Sequence, residues 1–238
     1  MDDRDPFAPL RFPSAARPLL GLTVLLVEDS RFASEAMRLL CMRSGARIRR
    51  ADCLRSARRH LQVYRPSVLI VDVGLPDGSG AELIAEAAQA SPRIGLILGI
   101  SGDDHRRDAC IAAGADGFLE KPLHSIASFQ ELILSHLPQD HQPPAPRELR
   151  DETIVPDTTA YRDDIAHVAD LLAAGEDEGV LDYVTQFLEG VAVLAGDSPL
   201  RAANQSLRAA RAAGQPLRSD LANLAGLLQD RIADRVAI

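Results

Sequence analysis

The sequence has no tryptophan, a single lysine and three cysteines among 238 residues, and aromatic side chains make up only 4% of it. Leucine, alanine, valine and isoleucine must therefore form the cores that a hydrophobic fraction of 46% can build. Cys41, Cys53 and Cys110 are odd in number and lack C-x-x-C spacing, which argues against a disulfide framework or a cysteine metal site. They indicate small buried side chains in a reducing compartment, so we expect a cytoplasmic protein.

Long hydrophobic runs and an excess of positive charge are also missing. No segment approaches the roughly 20 apolar residues that cross a membrane. Asp2, Asp3 and Asp5 give the N-terminus the wrong charge for a signal peptide. The net charge of −8 disfavours partners recognised through their phosphate groups, whether nucleic acid or an anionic membrane. We expect neither as a partner.

Proline divides the chain. Residues 1–20 contain four prolines and no apolar period, which predicts an extended N-terminal arm. Residues 138–157 contain five prolines and no apolar face, which predicts a linker. Two folded domains are therefore expected, one over residues 21–137 and one over residues 158–238.

Between residues 22 and 137, short runs of β-branched and leucine residues alternate five times with segments of helical period. The first, third and fourth runs are apolar throughout, as in strands of a parallel sheet that helices cover on both faces. The second run is rich in arginine, which predicts an edge strand. The predicted strands are Leu22–Val27, Arg47–Arg50, Val68–Val71, Ile94–Ile100 and Gly117–Leu119. This pattern predicts an α/β fold with a doubly wound, five-stranded parallel sheet.

The last 81 residues are helical in pattern throughout. Four segments of helical period are separated by glycines, with short connections between them. The predicted helices are Tyr161–Ala174, Val180–Leu194, Pro199–Ala213 and Pro216 to about Val236. Four helices joined by short loops predict an all-α four-helix bundle.

Reactive side chains follow the predicted strands. Glu28 and Asp29 follow the first strand and Asp72 follows the third, while Ser101 and Lys121 follow the fourth and fifth. Parallel strands end at one edge of a sheet, so all five should converge there. Neighbouring carboxylates repel one another unless a cation neutralises them, and hard oxygen ligands suit Mg²⁺. Beside such an ion Asp72 can attack phosphorus to form an aspartyl phosphate.

Four strings in this region resemble the motifs of receiver domains of two-component response regulators, which have a flavodoxin-like fold. The strings are VLLVEDS, LIVDVGLPDGSG, LGISG and GADGFLEKP. The resemblance implies that Asp72 is the phosphoacceptor and that Asp29 and Asp72 bind Mg²⁺. It also implies that Glu28 acts largely through water and that the backbone carbonyl of Gly74 completes the coordination.

The same resemblance assigns roles to the remaining positions. Ser101 and Lys121 are expected to contact the phosphate, Phe118 matches an aromatic switch position, and the Lys121–Pro122 bond is expected to be cis. A histidine kinase, a phosphotransfer protein or a small phosphodonor would supply the phosphoryl group. Gly74 and Gly102 depart from residues common in the family, which leaves the lifetime of the phosphate open.

A haloacid-dehalogenase-like phosphohydrolase is an alternative that uses the same kinds of side chain. Its pattern requires a second acid two residues after the nucleophile, where this chain has Gly74. Its acidic pair also comes last in the chain, whereas Glu28 and Asp29 come first. We therefore expect no enzymatic activity beyond phosphorylation and dephosphorylation of Asp72.

A second, weaker resemblance covers residues 173–214, in which the spacing of leucine, glycine and alanine is similar to that of a histidine phosphotransfer domain. Gln186 stands at the position of the phosphoacceptor histidine and Glu189 at that of a supporting lysine. The resemblance implies a degenerate domain that cannot carry phosphate and serves docking or dimerisation. An Ala/Leu-rich bundle with this spacing by chance is the alternative. His167 has no Lys-Gly sequel and is predicted to be an ordinary, partly buried histidine.

The charge of the C-terminal region bears on its output. Residues 158–238 contain 12 acidic residues and 7 arginines, a net charge of −5, which disfavours a DNA-binding output. We therefore expect a response regulator that signals through an unknown protein partner of its helical domain. A phosphate sink, or a pseudo-phosphotransfer regulator that binds and blocks a kinase, is the alternative. Whether the chain forms a homodimer stays open.

Overall fold

A computed structural model of the chain describes residues 13–143, 152–175 and 177–233, apart from the side chains of Asp104 and Asp140. Residues 1–12 of the predicted arm, residues 144–151 of the predicted linker and the end of the last predicted helix lie outside these ranges.

The first half of the chain alternates strands with helices and forms one five-stranded parallel sheet. Its strands are β1 (Thr23–Val27), β2 (Arg47–Ala51), β3 (Val68–Asp72), β6 (Leu96–Ser101) and β7 (Gly117–Glu120), and a small hairpin adds β4 (Gly74–Leu75) and β5 (Gly78–Ser79). The order in the sheet is β2-β1-β3-β6-β7. The inner strands β3 and β6 are buried along their whole length, whereas β2 exposes its arginines at one edge. The predicted parallel sheet and its edge strand are confirmed, while the hairpin was not predicted.

Five helices cover the two faces of the sheet. They are α1 (Arg31–Ser44), α2 (Leu54–Val63), α3 (Gly80–Gln89), α4 (Arg107–Ala112) and α5 (Ile126–Ser135). Helices α1 and α5 bury residues such as Leu40 and Phe129 on one face. Helices α2, α3 and α4 bury Leu54, Ile84 and Cys110 on the other. The sheet is therefore doubly wound, as its apolar inner strands require.

The second half of the described chain is helical. Its helices are α6 (Thr158–Ala174), α7 (Glu178–Ala195), α8 (Ser198–Ala212) and α9 (Arg218–Ala233). Helix α6 packs against α7 and α9, and α8 packs against the same two helices. Their shared core includes Ile165, Val184, Leu188, Leu207 and Leu224. These contacts make a four-helix bundle, as predicted. None of the helices in the described ranges has the length and apolar character needed to span a bilayer.

The described segments on either side of the sheet pack against it. Leu19, which falls in the predicted extended arm, is completely buried beside α1, and the backbone turns between Ser14 and Arg17. In the predicted linker, Thr153 pairs with Ser125, and Ile154 joins the same core as Leu19. The described end of the arm is therefore not extended, because burying Leu19 closes the core on the α1 face.

Candidate functional site

The carboxyl ends of four neighbouring strands bring the predicted site residues to one edge of the sheet. Strand β1 leads into Glu28 and Asp29, β3 ends at Asp72, β6 ends at Ser101, and β7 leads into Lys121. Strands β1, β3, β6 and β7 are adjacent in this order. All five side chains line one cavity, so the structure gathers them as the strand pattern predicted.

Glu28, Asp29 and Asp72 form the one cluster of three or more metal-ligating side chains in the part of the chain that the structure describes. One carboxylate oxygen of each lies within 4.8 Å of the others. Glu28 and Asp72 are only 1% and 6% exposed. Burial raises the pKa of Glu28 well above its usual value, and burial with the neighbouring charge of Asp72 raises the pKa of Asp29. Carboxylate oxygens at this spacing fit a hard divalent cation such as Mg²⁺.

Lys121 neutralises part of this negative charge. Its Nζ lies 2.6 Å from Oε2 of Glu28 and 2.7 Å from Oδ2 of Asp72. Burial alone would lower the pKa of Lys121, but the carboxylates of Asp72 and Glu28 outweigh burial and hold this pKa above its usual value. The lysine therefore stays charged and bridges two carboxylates. The Lys121–Pro122 peptide bond is cis, as predicted.

Ser101 and Phe118 lie at the β6 and β7 side of the site. Ser101 is 3% exposed, and its Oγ accepts a hydrogen bond of 3.1 Å from the backbone nitrogen of Asp103. Phe118 is buried in the sheet core, with the guanidinium of Arg107 5.0 Å from its ring centroid. The predicted switching role of both residues stays a prediction.

Gly74 begins the hairpin after Asp72, and its backbone nitrogen donates a hydrogen bond of 3.2 Å to Oδ1 of Asp72. Its backbone lies outside the positive-φ region, unlike that of several other glycines. A Cβ atom at this position would overlap the amide nitrogen of Gln186. Glycine at residue 74 thus leaves the space that the end of the Gln186 side chain occupies, and its backbone conformation does not require glycine. The predicted coordination by the Gly74 carbonyl stays a prediction.

Helix α7 supplies the opposite wall of the site. The hydroxyl of Tyr183 donates a 2.6 Å hydrogen bond to Oδ2 of Asp29. The carbonyl oxygen of Gln186 accepts one of 3.0 Å from Arg106, which follows β6, and its amide nitrogen lies against Gly74. Tyr183 and Gln186 are three residues apart and therefore share one face of the helix. That face is directed at the acidic cluster.

Gln186 and Glu189, the two positions to which the weaker sequence resemblance drew attention, have different surroundings. Gln186 reaches the acidic site, whereas the carboxylate of Glu189 pairs with Arg201 at 2.8 Å and accepts a hydrogen bond from Asn204, both on α8. His167 was predicted to be partly buried but is exposed on α6, with edge contacts to the rings of Tyr183 and Phe187. His167 was wrongly placed because α6 turns its apolar face away from this position.

Asp164 fixes the bundle to the start of α1. This side chain is 2% exposed and accepts hydrogen bonds from Ser30 Oγ at 2.6 Å and from the backbone nitrogens of Arg31 and Phe32 at 2.8 and 3.0 Å. Burial raises the pKa of Asp164, although these hydrogen bonds oppose the rise. Next to it, Asp163 forms an exposed ion pair of 2.6 Å with Arg31. A helix of the bundle therefore caps the helix that follows the acidic pair.

A cavity of about 960 Å³ lies between the site and the bundle. The acidic cluster, Ser101 and Lys121 line one side of it. Thr185, Gln186 and Arg208 line the other side. The cavity is large enough for a phosphoryl group together with ordered water.

Three residues at this junction were missed by sequence reasoning, namely Arg106, Asp164 and Tyr183. Each is a polar residue on a helical segment whose role depends on how the bundle docks. Only Tyr183 could have been linked to the site from the sequence. It precedes Gln186 by three residues, which places both on the same helical face.

The sequence of the sheet region matches a known family. Residues 24–133 fit the family model described as the response regulator receiver domain. This part of the chain is therefore a receiver domain of the two-component response regulators. The family model ends before α6, so it does not include the bundle.

Relatives and solved structures match over a similar share of the chain. The KDP operon transcriptional regulatory protein KdpE of Escherichia coli is 32% identical over 99 residues, which cover 42% of this chain and 44% of KdpE. The transcriptional regulatory protein CitB of Klebsiella pneumoniae is 33% identical over 108 residues, 44% of this chain and 46% of CitB. The aligned part is thus less than half the length of either relative. A putative response regulator from Chloroflexus aurantiacus is 27% identical, with a TM-score of 0.46 over 48% of this chain and 96% of its own.

Proposed function

We propose that the chain is a response regulator controlled by phosphorylation of Asp72. The observation that carries this proposal is the placement of a buried Asp72 carboxylate 2.7 Å from the Lys121 ammonium and within 4.8 Å of two further carboxylates. The site therefore joins a carboxylate nucleophile to groups that neutralise phosphoryl oxygens. The receiver identity of residues 24–133 supports the same chemistry.

Mg²⁺ is the proposed cofactor. Asp29 and Asp72 would hold it through carboxylate oxygens, Glu28 would act largely through water, and the Gly74 carbonyl would complete the coordination. Lys121 alone carries too little charge to neutralise three carboxylates. When bound, the ion supplies positive charge for the oxygens of the transferred phosphoryl group.

The residues of the chain have distinct tasks in the transfer. An oxygen of Asp72 attacks the phosphorus of the phosphoryl group carried by a histidine kinase, phosphotransfer protein or small phosphodonor. The bond between phosphorus and the donor atom breaks, and the donor atom keeps its electron pair. Lys121 contacts one phosphoryl oxygen. Ser101 already accepts a hydrogen bond from Asp103 through Oγ, so its own hydroxyl hydrogen is available to another phosphoryl oxygen.

The output we propose is protein binding through the helical bundle. Its net charge is −5, and three of its arginines form ion pairs with acids of the bundle, at Glu189, Asp182 and Asp197. Such a surface has little charge to attract a phosphate backbone. The bundle also contacts the phosphorylation site directly, through Tyr183 and Gln186, so a change at Asp72 can move it.

Labelling with a radioactive small phosphodonor in the presence of Mg²⁺ tests the proposal. Asp72→Asn should lose the label, while Glu131→Gln, which changes an exposed acid of α5, should keep it. Full labelling of Asp72→Asn would refute the assignment.

Beryllofluoride with Mg²⁺ tests the proposed output, and it should change the oligomeric state or the captured partners of the full chain. Tight DNA binding that weakens steeply with salt would contradict a protein-binding output.

A second function, a pseudo-phosphotransfer regulator, is favoured by one observation. Gln186, which the resemblance to phosphotransfer domains would place at the phosphoacceptor position, contacts Arg106 and Gly74 beside the acidic site of its own chain. A domain that docks on receivers in this way can occupy the place of an incoming phosphodonor. Inhibition of a kinase by the unphosphorylated chain, with no change of assembly on phosphorylation, would favour this function. A phosphate sink would instead show rapid turnover of the label and no inhibition.

A further inference from the structure

The carboxamide of Gln186 occupies a place next to the phosphoacceptor that phosphorylation of Asp72 alone does not explain. Its amide nitrogen fills the space in which a side chain at residue 74 would begin, and residue 74 is a glycine without a positive φ. Glycine loses more conformational entropy on folding than other residues, so it is favoured where the backbone conformation or a close approach requires the missing side chain. Here the space left at residue 74 is filled from α7.

Arg106 fixes which end of the carboxamide faces the site. A guanidinium has donors and no acceptor, so the atom 3.0 Å from Arg106 must be the carbonyl oxygen of Gln186. The NH₂ group consequently faces Gly74, two residues after Asp72. The carbonyl oxygen keeps a second lone pair that can accept another hydrogen bond.

The neighbouring contacts hold α7 in this position. Tyr183, one turn before Gln186, donates to Asp29, and Asp164 on α6 is bound to three groups at the start of α1. A side chain that has to orient a reactant needs such fixed supports. The cavity of about 960 Å³ beside Gln186 also reaches Asp72 and Lys121.

We propose that Gln186 is a catalytic residue for hydrolysis of the phosphoryl group on Asp72, so that the bundle limits the lifetime of the signal. This inference rests on the proposed phosphorylation of Asp72. The NH₂ group of Gln186 donates to a phosphoryl oxygen, and its carbonyl oxygen accepts a hydrogen bond from a water molecule. Glutamine orients attacking water at phosphorus in this manner in other phosphoryl-transfer sites.

The hydrolytic step is balanced without any further reactant. The water oxygen forms a bond to phosphorus, and the bond between phosphorus and the Asp72 oxygen breaks. The electron pair of that bond returns to the Asp72 carboxylate, and the water proton leaves with inorganic phosphate. An amide is a very weak nucleophile, so Gln186 itself does not take up the phosphoryl group.

The lifetime of labelled full-length protein tests the proposal. Gln186→Met keeps the length of the side chain and removes both hydrogen-bonding groups, and it should lengthen the lifetime about tenfold, or about 1.4 kcal/mol in activation free energy. Gln229→Met makes the same change on an exposed position of α9 and should leave the lifetime unaltered. Mg²⁺ affinity, measured by calorimetry, should be equal in all three proteins. The ¹⁹F resonances of the beryllofluoride adduct should shift in Gln186→Met alone.

A double-mutant comparison separates this role from simple shielding. Gly74→Ala should expel the carboxamide and lengthen the lifetime as Gln186→Ala does, and the two changes together should add little to either one. An unchanged or shortened lifetime in both Gln186→Met and Gln186→Ala would overturn the proposal. A shortened lifetime would indicate that Gln186 excludes water from the site, and an unchanged one that it has no part in hydrolysis. Absence of label from the unaltered chain would instead refute phosphorylation at Asp72.

Discussion

The hydroxyl of Tyr183 and the carboxylate of Asp29 are joined by a 2.6 Å hydrogen bond, although 154 positions separate them in the sequence. Burial, followed by the negative charge of Asp29, raises the pKa of Tyr183, so the hydroxyl keeps its proton and remains a donor. This bond connects α7 to a proposed Mg²⁺ ligand. We therefore expect occupation of the proposed metal site to be coupled to the position of the bundle.

Tyr183→Phe should strengthen Mg²⁺ binding. A hydrogen bond to a charged group contributes about 1.5–3 kcal/mol, and bound Mg²⁺ competes with Tyr183 for the same carboxylate. If about a third to a half of that free energy opposes binding of the ion, the variant should bind Mg²⁺ about two- to twelvefold more tightly. Calorimetric titration with MgCl₂ measures the change.

Tyr161→Phe is the matched control for this variant. Its hydroxyl donates a hydrogen bond of the same length, 2.6 Å, to Asp197 inside the bundle. Removing this hydroxyl should lower the stability of the bundle and leave Mg²⁺ affinity unaltered. Equal Mg²⁺ affinity in Tyr183→Phe and the unaltered chain would show that the two sites are not coupled.

Lys121→Met should destabilise the protein most when no metal is present. The substitution leaves Glu28 and Asp72 buried without the cation that bridges them, and loss of one partner of a buried ion pair costs about 3–5 kcal/mol. Mg²⁺ should recover part of this loss, because it supplies positive charge to the same carboxylates. Denaturant unfolding with and without Mg²⁺ measures both effects. A variant as stable as the unaltered chain in EDTA would contradict the proposed role of Lys121.

The parallel sheet and the strand-end site were predictable because short-range patterns determine them. Apolar runs such as Val68–Val71 identify buried strands, and parallel strands necessarily place Glu28, Asp72 and Lys121 at one edge. The hairpin after Asp72 was not predictable in the same way. Its strands have two residues each, too short for any period to show.

The docking of the bundle could not be predicted from the sequence, because its hydrogen bonds join polar residues that are far apart in the chain. Asp164 and Tyr183 are ordinary helical positions until their partners Ser30 and Asp29 are known. The apolar part of the contact comes from single residues: Leu194 of α7 joins the core beside α1, and the ring of Tyr161 on α6 packs edge-on against Phe32. Leu19 was wrongly assigned to an extended arm, because the prolines around it outweighed the signal of a single apolar residue that is in fact buried.

Asp197 should make the stability of the bundle depend on pH. Hydrogen bonding to Arg231 is the main reason that the pKa of Asp197 falls from its usual 3.8 to about 2. A folded-state pKa below the unfolded value contributes stability above about pH 4, which is lost as the pH falls towards 2. Because Asn caps a helix as well as Asp does, Asp197→Asn isolates the charge and should cost about 1–2 kcal/mol at pH 6. Denaturant unfolding at pH 6 and pH 3 should show this cost shrinking, and a constant difference would argue against the ion pair.

Gln186→His tests directly whether α7 holds residue 186 within reach of a phosphoryl group on Asp72. An imidazole is nucleophilic where the carboxamide is not, so the variant should transfer phosphate from Asp72 to the new side chain. Aspartyl phosphate is lost in base, whereas phosphohistidine survives base and is lost in acid, so the stability of the label identifies its carrier. The unaltered chain, in which His167 of α6 lies in edge contact with the ring of Phe187, should show only base-labile label. His167→Gln should change neither pattern. Base-labile label alone in Gln186→His would mean that α7 leaves the site when Asp72 is phosphorylated.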